Sequence, residues 1–196
     1  MTHQKVAIVG HSLVWWFEDF IRHDSNITLH LGLANTEVRC ILTGVKMGLV
    51  IDNWHLIRNS LIQFAPDVII LILGDNDLFR TEPEDVAANL LRAGHMLKGW
   101  TGGSKIILFY LFSRFWTTSY CYFSPAYNQE ANWVNTLMRQ GVQNLHRTFT
   151  WSFHGPSFFE QRAFCYFADE GVHLNTVGQV MLFRAMLRAI HVFRFF

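Results

Sequence analysis

At 196 residues the chain has room for one domain with a full core and not comfortably for two. Its residues are 51% apolar, 16% charged and 15% aromatic, a balance that excludes disordered or low-complexity chain. A formal charge of +1, carried by scattered Lys and Arg, argues against the dense basic stripe that grips phosphates, so no direct nucleic-acid contact is expected.

Cys40, Cys121 and Cys165 are far apart, odd in number and without CxxC spacing, so neither a disulfide framework nor a zinc knuckle is indicated. The opening "MTHQKVAIVGHS" lacks the basic segment and long apolar core of a secretory signal. No window approaches the roughly 20 apolar residues of a membrane span. A cytoplasmic location and no cofactor are the resulting expectations.

In chain order, "KVAIVG" (5–10) is a β-branched run ending in Gly, and "VWWFEDFI" after it changes to helical spacing, which predicts strand then helix. Either "ITLHLGLA" or "VRCILTGV" supplies a second strand. "NWHLIRNSLIQFA" (53–65) has apolar residues at three-and-four spacing and stops at Pro66, as a helix does. "DVIILILG" (67–74) is almost wholly apolar, the mark of a strand buried on both faces of a parallel sheet.

Glu82 to Trp100 reads as a helix, with Pro83 suited to its first turn and Glu82, Glu84 and Asp85 near the positive end of its dipole. "KIILFYLF" (105–112) is another buried strand, 126–147 a helix interrupted at Gly141, "TFTWSF" (148–153) a short fifth strand, and "TVGQVMLFRAMLRAIHVF" a closing helix. The alternation predicts an α/β three-layer sandwich, a flavodoxin-like five-stranded parallel sheet of order 2-1-3-4-5 with helices on both faces. Segment 154–174 shows no clear element, and long loops inside compact domains are often functional.

Ligands of such sheets sit beyond the C-terminal ends of the strands. After the first strand comes "GHS", placing Ser12 at the mouth of a helix whose free N–H groups favour a developing anion. After the third comes "GDND", placing the amide of Asn76 at the equivalent height on the neighbouring strand. After the fifth, the long loop brings Asp169, Glu170 and His173. Each has an ordinary alternative: Ser as an N-cap, Asn and Asp as turn formers, His as a structural or solvated side chain. Together, at three strand ends of one sheet, they supply a nucleophile, an oxyanion donor and a base beside an acid, the set that acyl transfer requires.

Competing motifs fail on the same residues. A dinucleotide fingerprint needs GxGxxG, but Gly10 is followed by His11, Ser12, Leu13, Val14 and Trp15. A GxSxG nucleophile elbow fails at Val14. There is no Walker sequence and no HExxH, and ten histidines without ligand spacing do not point to a metal.

The blocks "VAIVGHS", "PDVIILILGDNDL" and "EGVHLNTVG", in that order and spread over nearly the whole chain, resemble the SGNH hydrolases, also called GDSL esterases or lipases. The variant GHS with "VHLN" resembles the SGNH domains of animal genomes, some carried by retrotransposon-like elements. The resemblance implies that Ser12 attacks an ester carbonyl and that His173 takes its proton and later activates water. It implies an oxyanion hole of the Ser12 backbone N–H, the Asn76 side chain and a glycine N–H from a second block, with Gly48 the better candidate and Gly44 the other.

Two departures stand out. The family usually has Asp where this chain has His11, and Asp where it has Glu170. The acid-x-x-His spacing lets one turn bring a carboxylate back to the ring nitrogen, which favours Glu170 as the orienting acid, with Asp169 the second candidate. The segment 113–127, "SRFWTTSYCYFSPAY", carries six aromatics and reads either as the wall or lid of an acyl pocket or as a packing surface. The expected activity is therefore a serine esterase acting on small ester substrates, with short acyl chains. The contrasting expectation is a silent SGNH-fold domain that binds a lipid, carbohydrate or protein partner, and a third is a domain serving a retroelement protein.

Overall fold

A computed structural model describes residues 3–24, 31–43, 54–114, 124–153 and 163–194. Five strands, β1 (Gln4–Gly10), β2 (Thr36–Leu42), β3 (Val68–Ile72), β4 (Lys105–Phe109) and β5 (Thr148–Trp151), form one parallel sheet of order β2-β1-β3-β4-β5. The helices are α1 (Ser12–His23), α2 (Trp54–Phe64), α3 (Pro83–Trp100), α4 (Ser124–Gly141) and α5 (Thr176–Arg194). Among the described residues no helix is long and apolar enough to cross a membrane.

The centre of the sheet is buried on both faces, which is why β3 and β4 read as unbroken apolar runs rather than alternating ones. Val6 and Ile8 of β1, with Val68 and Ile70 of β3, face α1 and α5. Ala7 and Val9, with Ile69 and Leu71, face the layer of α2, α3 and α4. All five residues of β3 are buried. Truncating one of them, such as fully buried Ile70 to Ala, would cost about 2–5 kcal/mol through lost transfer energy and an unfilled cavity.

The register levels the strand ends that matter. Gly10, the last residue of β1, pairs with Ile72, the last of β3, so the segments beginning at His11 and Leu73 leave the sheet side by side. Gly10 permits this closeness, because a Cβ there would run into the Ile72 carbonyl oxygen and the Val14 side chain.

Three expectations are refined. Of the two candidates for the second strand, "VRCILTGV" supplies it and "ITLHLGLA" does not: β2 starts at Thr36, after a turn at 31–35 in which Leu31 and Asn35 adopt positive φ. The helix expected over 126–147 runs from Ser124 and ends at Gly141, passing into a 3-10 turn at Val142–Asn144. In the long loop, Ala163–Tyr166 form a 3-10 turn and Phe167 bridges Leu174 in antiparallel fashion.

Candidate active site

Three segments meet at the C-terminal edge of the sheet. Ser12 opens α1, and His11 rather than Ser12 occupies the N-cap position, so the serine hydroxyl is not consumed in capping. Gly74, with φ +107°, turns the chain after β3 in a conformation that L side chains rarely adopt. The turn sends Asp75 inward, where it is buried, and leaves Asn76 half-buried.

The third segment is a pinned turn. Ala168 N–H donates to the His173 carbonyl at 2.8 Å, Gly171 N–H to the Ala168 carbonyl at 2.8 Å, and Asn175 N–H to the Tyr166 carbonyl at 3.0 Å. Gly171 takes positive φ, 69°. Asn175 then caps α5: its Oδ1 accepts the Gly178 N–H at 3.0 Å, while its Nδ2 donates to the carbonyls of Cys165 at 2.8 Å and Phe167 at 3.0 Å. One asparagine thus fixes the loop to the helix immediately after His173.

The result is a continuous acid, imidazole and hydroxyl chain. His173 Nδ1 lies 2.8 Å from Glu170 Oε1, and His173 Nε2 lies 3.2 Å from Ser12 Oγ. Asp169 is exposed, and no hydrogen bond joins it to His173 among the described residues. Partial burial alone would raise the Glu170 pKa, but hydrogen bonds from the backbone and from His173 outweigh it, and the carboxyl titrates below its usual range. An ionised carboxylate only accepts, so the ring proton sits on Nδ1 and the Nε2 lone pair faces the serine. His173 is 28% exposed, open enough for water to reach it.

Asn76 is held by Arg114, which sequence reading did not single out. Arg114 Nη2 donates to Asn76 Oδ1 and to the Asp75 carbonyl, both at 3.1 Å. Since a guanidinium only donates, the amide oxygen is the atom turned toward it, and Nδ2 lies on the other branch. The guanidinium packs on a pair of stacked rings, 4.6 Å from the Phe79 ring centroid and 4.5 Å from that of Tyr127, the two centroids being 5.9 Å apart. Reciprocal bonds between its backbone and the Asn128 side chain, at 2.8 and 3.0 Å, tie it to α4.

Beneath lies a second cluster. His11 Nδ1 is 3.2 Å from Ser12 Oγ, and its Nε2 is 3.9 Å from Asp75 Oδ2. Asp75 Oδ1 accepts from the Phe112 N–H and the Tyr127 hydroxyl, each at 3.1 Å. Burial raises the Tyr127 pKa well above its ordinary value, so that hydroxyl stays a donor.

Beside the relay, a groove of about 590 Å³ runs between α1 and the start of α5. Trp16, Phe20 and Leu174 give it apolar walls, and Asp19, Asn175 and Gln179 polar ones. The Trp16 ring centroid is 5.9 Å from that of His173. Gly44 and Gly48 lie outside the described residues, as do 115–123 of the aromatic stretch. Among the described residues no group of three His, Cys, Asp or Glu could hold a metal ion. Cys40 is a free thiol whose pKa desolvation pushes up to about 12, which leaves it a poor nucleophile.

No sequence profile of a known family matches the chain, and no curated protein matches it. Solved structures do. A lipase/acylhydrolase from Enterococcus faecalis superposes with a TM-score of 0.70 at 15% identity, over 95% of this chain and 95% of that one. A GDSL-like lipase from Bacteroides thetaiotaomicron gives 0.68 at 14% identity, over 96% and 88%. A family two carbohydrate esterase from Clostridium thermocellum, solved with cellohexaose, gives 0.62 at 11% identity, over 96% of this chain and 64% of that one. The chain has the fold of the SGNH, or GDSL-type, hydrolases.

Proposed function

We propose that this chain is a serine esterase that hydrolyses carboxylic esters with short acyl chains through an acyl-enzyme. The observation that carries the proposal is the Glu170, His173 and Ser12 relay, with links of 2.8 and 3.2 Å. Glu170 holds the tautomer in which Nε2 accepts. As Ser12 Oγ attacks the ester carbonyl, its proton passes to His173 Nε2, and the resulting imidazolium is stabilised by the adjacent carboxylate. The same nitrogen gives the proton to the departing alcohol, then takes one from water, which releases the acid.

Negative charge developing on the carbonyl oxygen needs donors already in place. The Ser12 N–H opens α1, where first-turn N–H groups have no acceptor one turn back and the helix dipole favours an anion. The Asn76 amide, its oxygen occupied by Arg114, offers Nδ2 as a second donor. Gly48, or Gly44 in its stead, would add the third. The groove beside Trp16 supplies a mixed apolar and polar surface for one arm of a small ester.

The test is covalent labelling with a fluorophosphonate together with hydrolysis of a short-chain p-nitrophenyl ester, for the wild type and Ser12→Ala. Labelling and turnover in the wild type, both lost in the variant, are expected. A wild-type protein that does neither would leave an SGNH-fold binding domain in place of an enzyme.

A further inference from the structure

Ser12 Oγ has a second imidazole against it. His11 Nδ1 stands at 3.2 Å, the same distance as His173 Nε2. His11 is 3% exposed, its Nε2 has no hydrogen-bond partner among the described residues, and Asp75 Oδ2 lies 3.9 Å from that nitrogen. Asp75 is equally buried, and its carboxylate accepts the Phe112 N–H and the Tyr127 hydroxyl on Oδ1, while Oδ2 faces the histidine. A carboxylate beside Nε2 favours the tautomer with the proton there, and so turns the Nδ1 lone pair on the serine hydroxyl, whose single proton goes to one imidazole or the other, never to both at once.

We propose that His11 is a second general base for Ser12, so that the nucleophile carries two acid and imidazole pairs, Glu170 with His173 and Asp75 with His11. The inference rests on the esterase reading of Ser12. In the step, Oγ bonds to the carbonyl carbon, the C=O π pair moves onto oxygen, and the hydroxyl proton passes to His11 Nδ1. The imidazolium then holds a proton on each nitrogen, with Asp75 facing Nε2. As the ester C–O bond breaks, the Nδ1 proton leaves with the alkoxide as the alcohol.

Burial pushes the His11 pKa down; Asp75 offsets part of that, and Arg114 and His173 add to it. His11 is therefore neutral in the resting protein and a weaker base than an ordinary imidazole, so His173 carries the main flux and His11 the lesser one. A histidine that only filled space would contribute stability and no proton transfer.

The experiment compares fluorophosphonate labelling rates of the wild type, Ser12→Ala, His173→Ala, His11→Asn and the His173→Ala/His11→Asn double variant. His173→Ala is expected to keep Ser12-dependent labelling at least about tenfold above the double variant, since even a weakened base contributes to the attack. His173→Ala labelling no faster than the double variant would overturn the proposal while leaving Ser12 as the nucleophile. Failure of the wild type to label overturns the esterase reading, and the second base with it. Because His11→Asn alters a buried site, the pH profile of His173→Ala alone gives an independent readout. Its residual labelling should rise with pH around a midpoint below the free imidazole value of about 6.5, because burial lowers the His11 pKa; residual labelling that titrates at or above that value overturns the assignment to His11.

Discussion

Glu170 holds His173 twice through one atom: its Oε1 accepts the ring Nδ1–H at 2.8 Å and the His173 backbone N–H at 3.2 Å. The two bonds close a ring across the turn Glu170, Gly171, Val172, His173, so the imidazole is fixed to the loop that carries it. A glutamate reaches around this turn with its extra methylene, which answers the departure from the aspartate usual in the family.

Glu170→Gln should therefore lower kcat by about 100-fold or more, since an amide N–H facing Nδ1 favours the wrong tautomer and a misplacement of about 1 Å alone costs that much. Asp169→Asn, on an exposed side chain, should change kcat by less than about twofold, within the range of ordinary surface substitutions. Steady-state kinetics on one ester decides the matter, and equal losses in the two variants would remove Glu170 from its role.

Asn76→Ala should cost about 3–4 kcal/mol of transition-state stabilisation, seen as a fall in kcat of about 100- to 1,000-fold. Arg114→Met should lose less, about tenfold, because the amide remains but its oxygen is no longer pinned. The two effects belong to one unit, so the double variant should be little worse than Asn76→Ala alone. Additive losses would separate Arg114 from Asn76.

Much of this architecture is legible in the sequence because its signals are local. Apolar runs without alternation gave β3 and β4, and the three strand-end blocks each fit within a few residues. The second strand was ambiguous because two apolar runs, 27–34 and 38–45, compete, and only pairing with β1 selects between them. Arg114 was missed because a lone arginine after a strand reads as surface; its meaning comes from Asp75 and Asn76, nearly forty residues earlier. His11 was visible only as an unusual residue, since its carboxylate partner lies on the neighbouring strand's exit. Asn175 had a readable signal in an asparagine directly before a helical run.

Trp16 forms an exposed wall of the groove, 42% accessible, close to the His173 ring. Trp16→Ala should raise KM about 2- to 10-fold, the equivalent of 0.5–1.5 kcal/mol of aromatic contact, and leave kcat nearly unchanged. Measured on two esters differing in size, the effect should be larger for the one that reaches the groove. A fall in kcat with KM constant would place Trp16 with the chemistry instead.

The buried imidazole of His11 links stability to pH. Burial depresses its pKa in the folded protein, against opposition from Asp75 and with additions from Arg114 and His173. Between the unfolded value of about 6.5 and the lower folded value, the unfolded chain binds more protons, so stability rises with pH through that window and falls as pH drops through it. Thermal melts at pH 7.5 and 5.5 should show a steeper acid loss in the wild type than in His11→Asn, which has no group to titrate there. Parallel losses in the two proteins would rule out this linkage.

Gly178 stands where α5 meets the turn that carries His173. A Cβ at this position would run into the Tyr166 carbonyl oxygen, a backbone atom, and would press on the Leu174 side chain at 3.0 Å. The same residue's N–H is the one capped by Asn175, so α5 cannot shift away without loosening the cap. Alanine is ordinarily the better helix former, yet here overpacking should prevail and Gly178→Ala should destabilise by about 1–3 kcal/mol. At roughly 2–4 °C per kcal/mol for a chain of this size, Tm should fall by several degrees. The fall should come with a lower kcat, because Leu174 and Tyr166 brace the loop that aims His173 at Ser12. A variant as stable and as active as the wild type would mean that the helix start can move without moving the histidine.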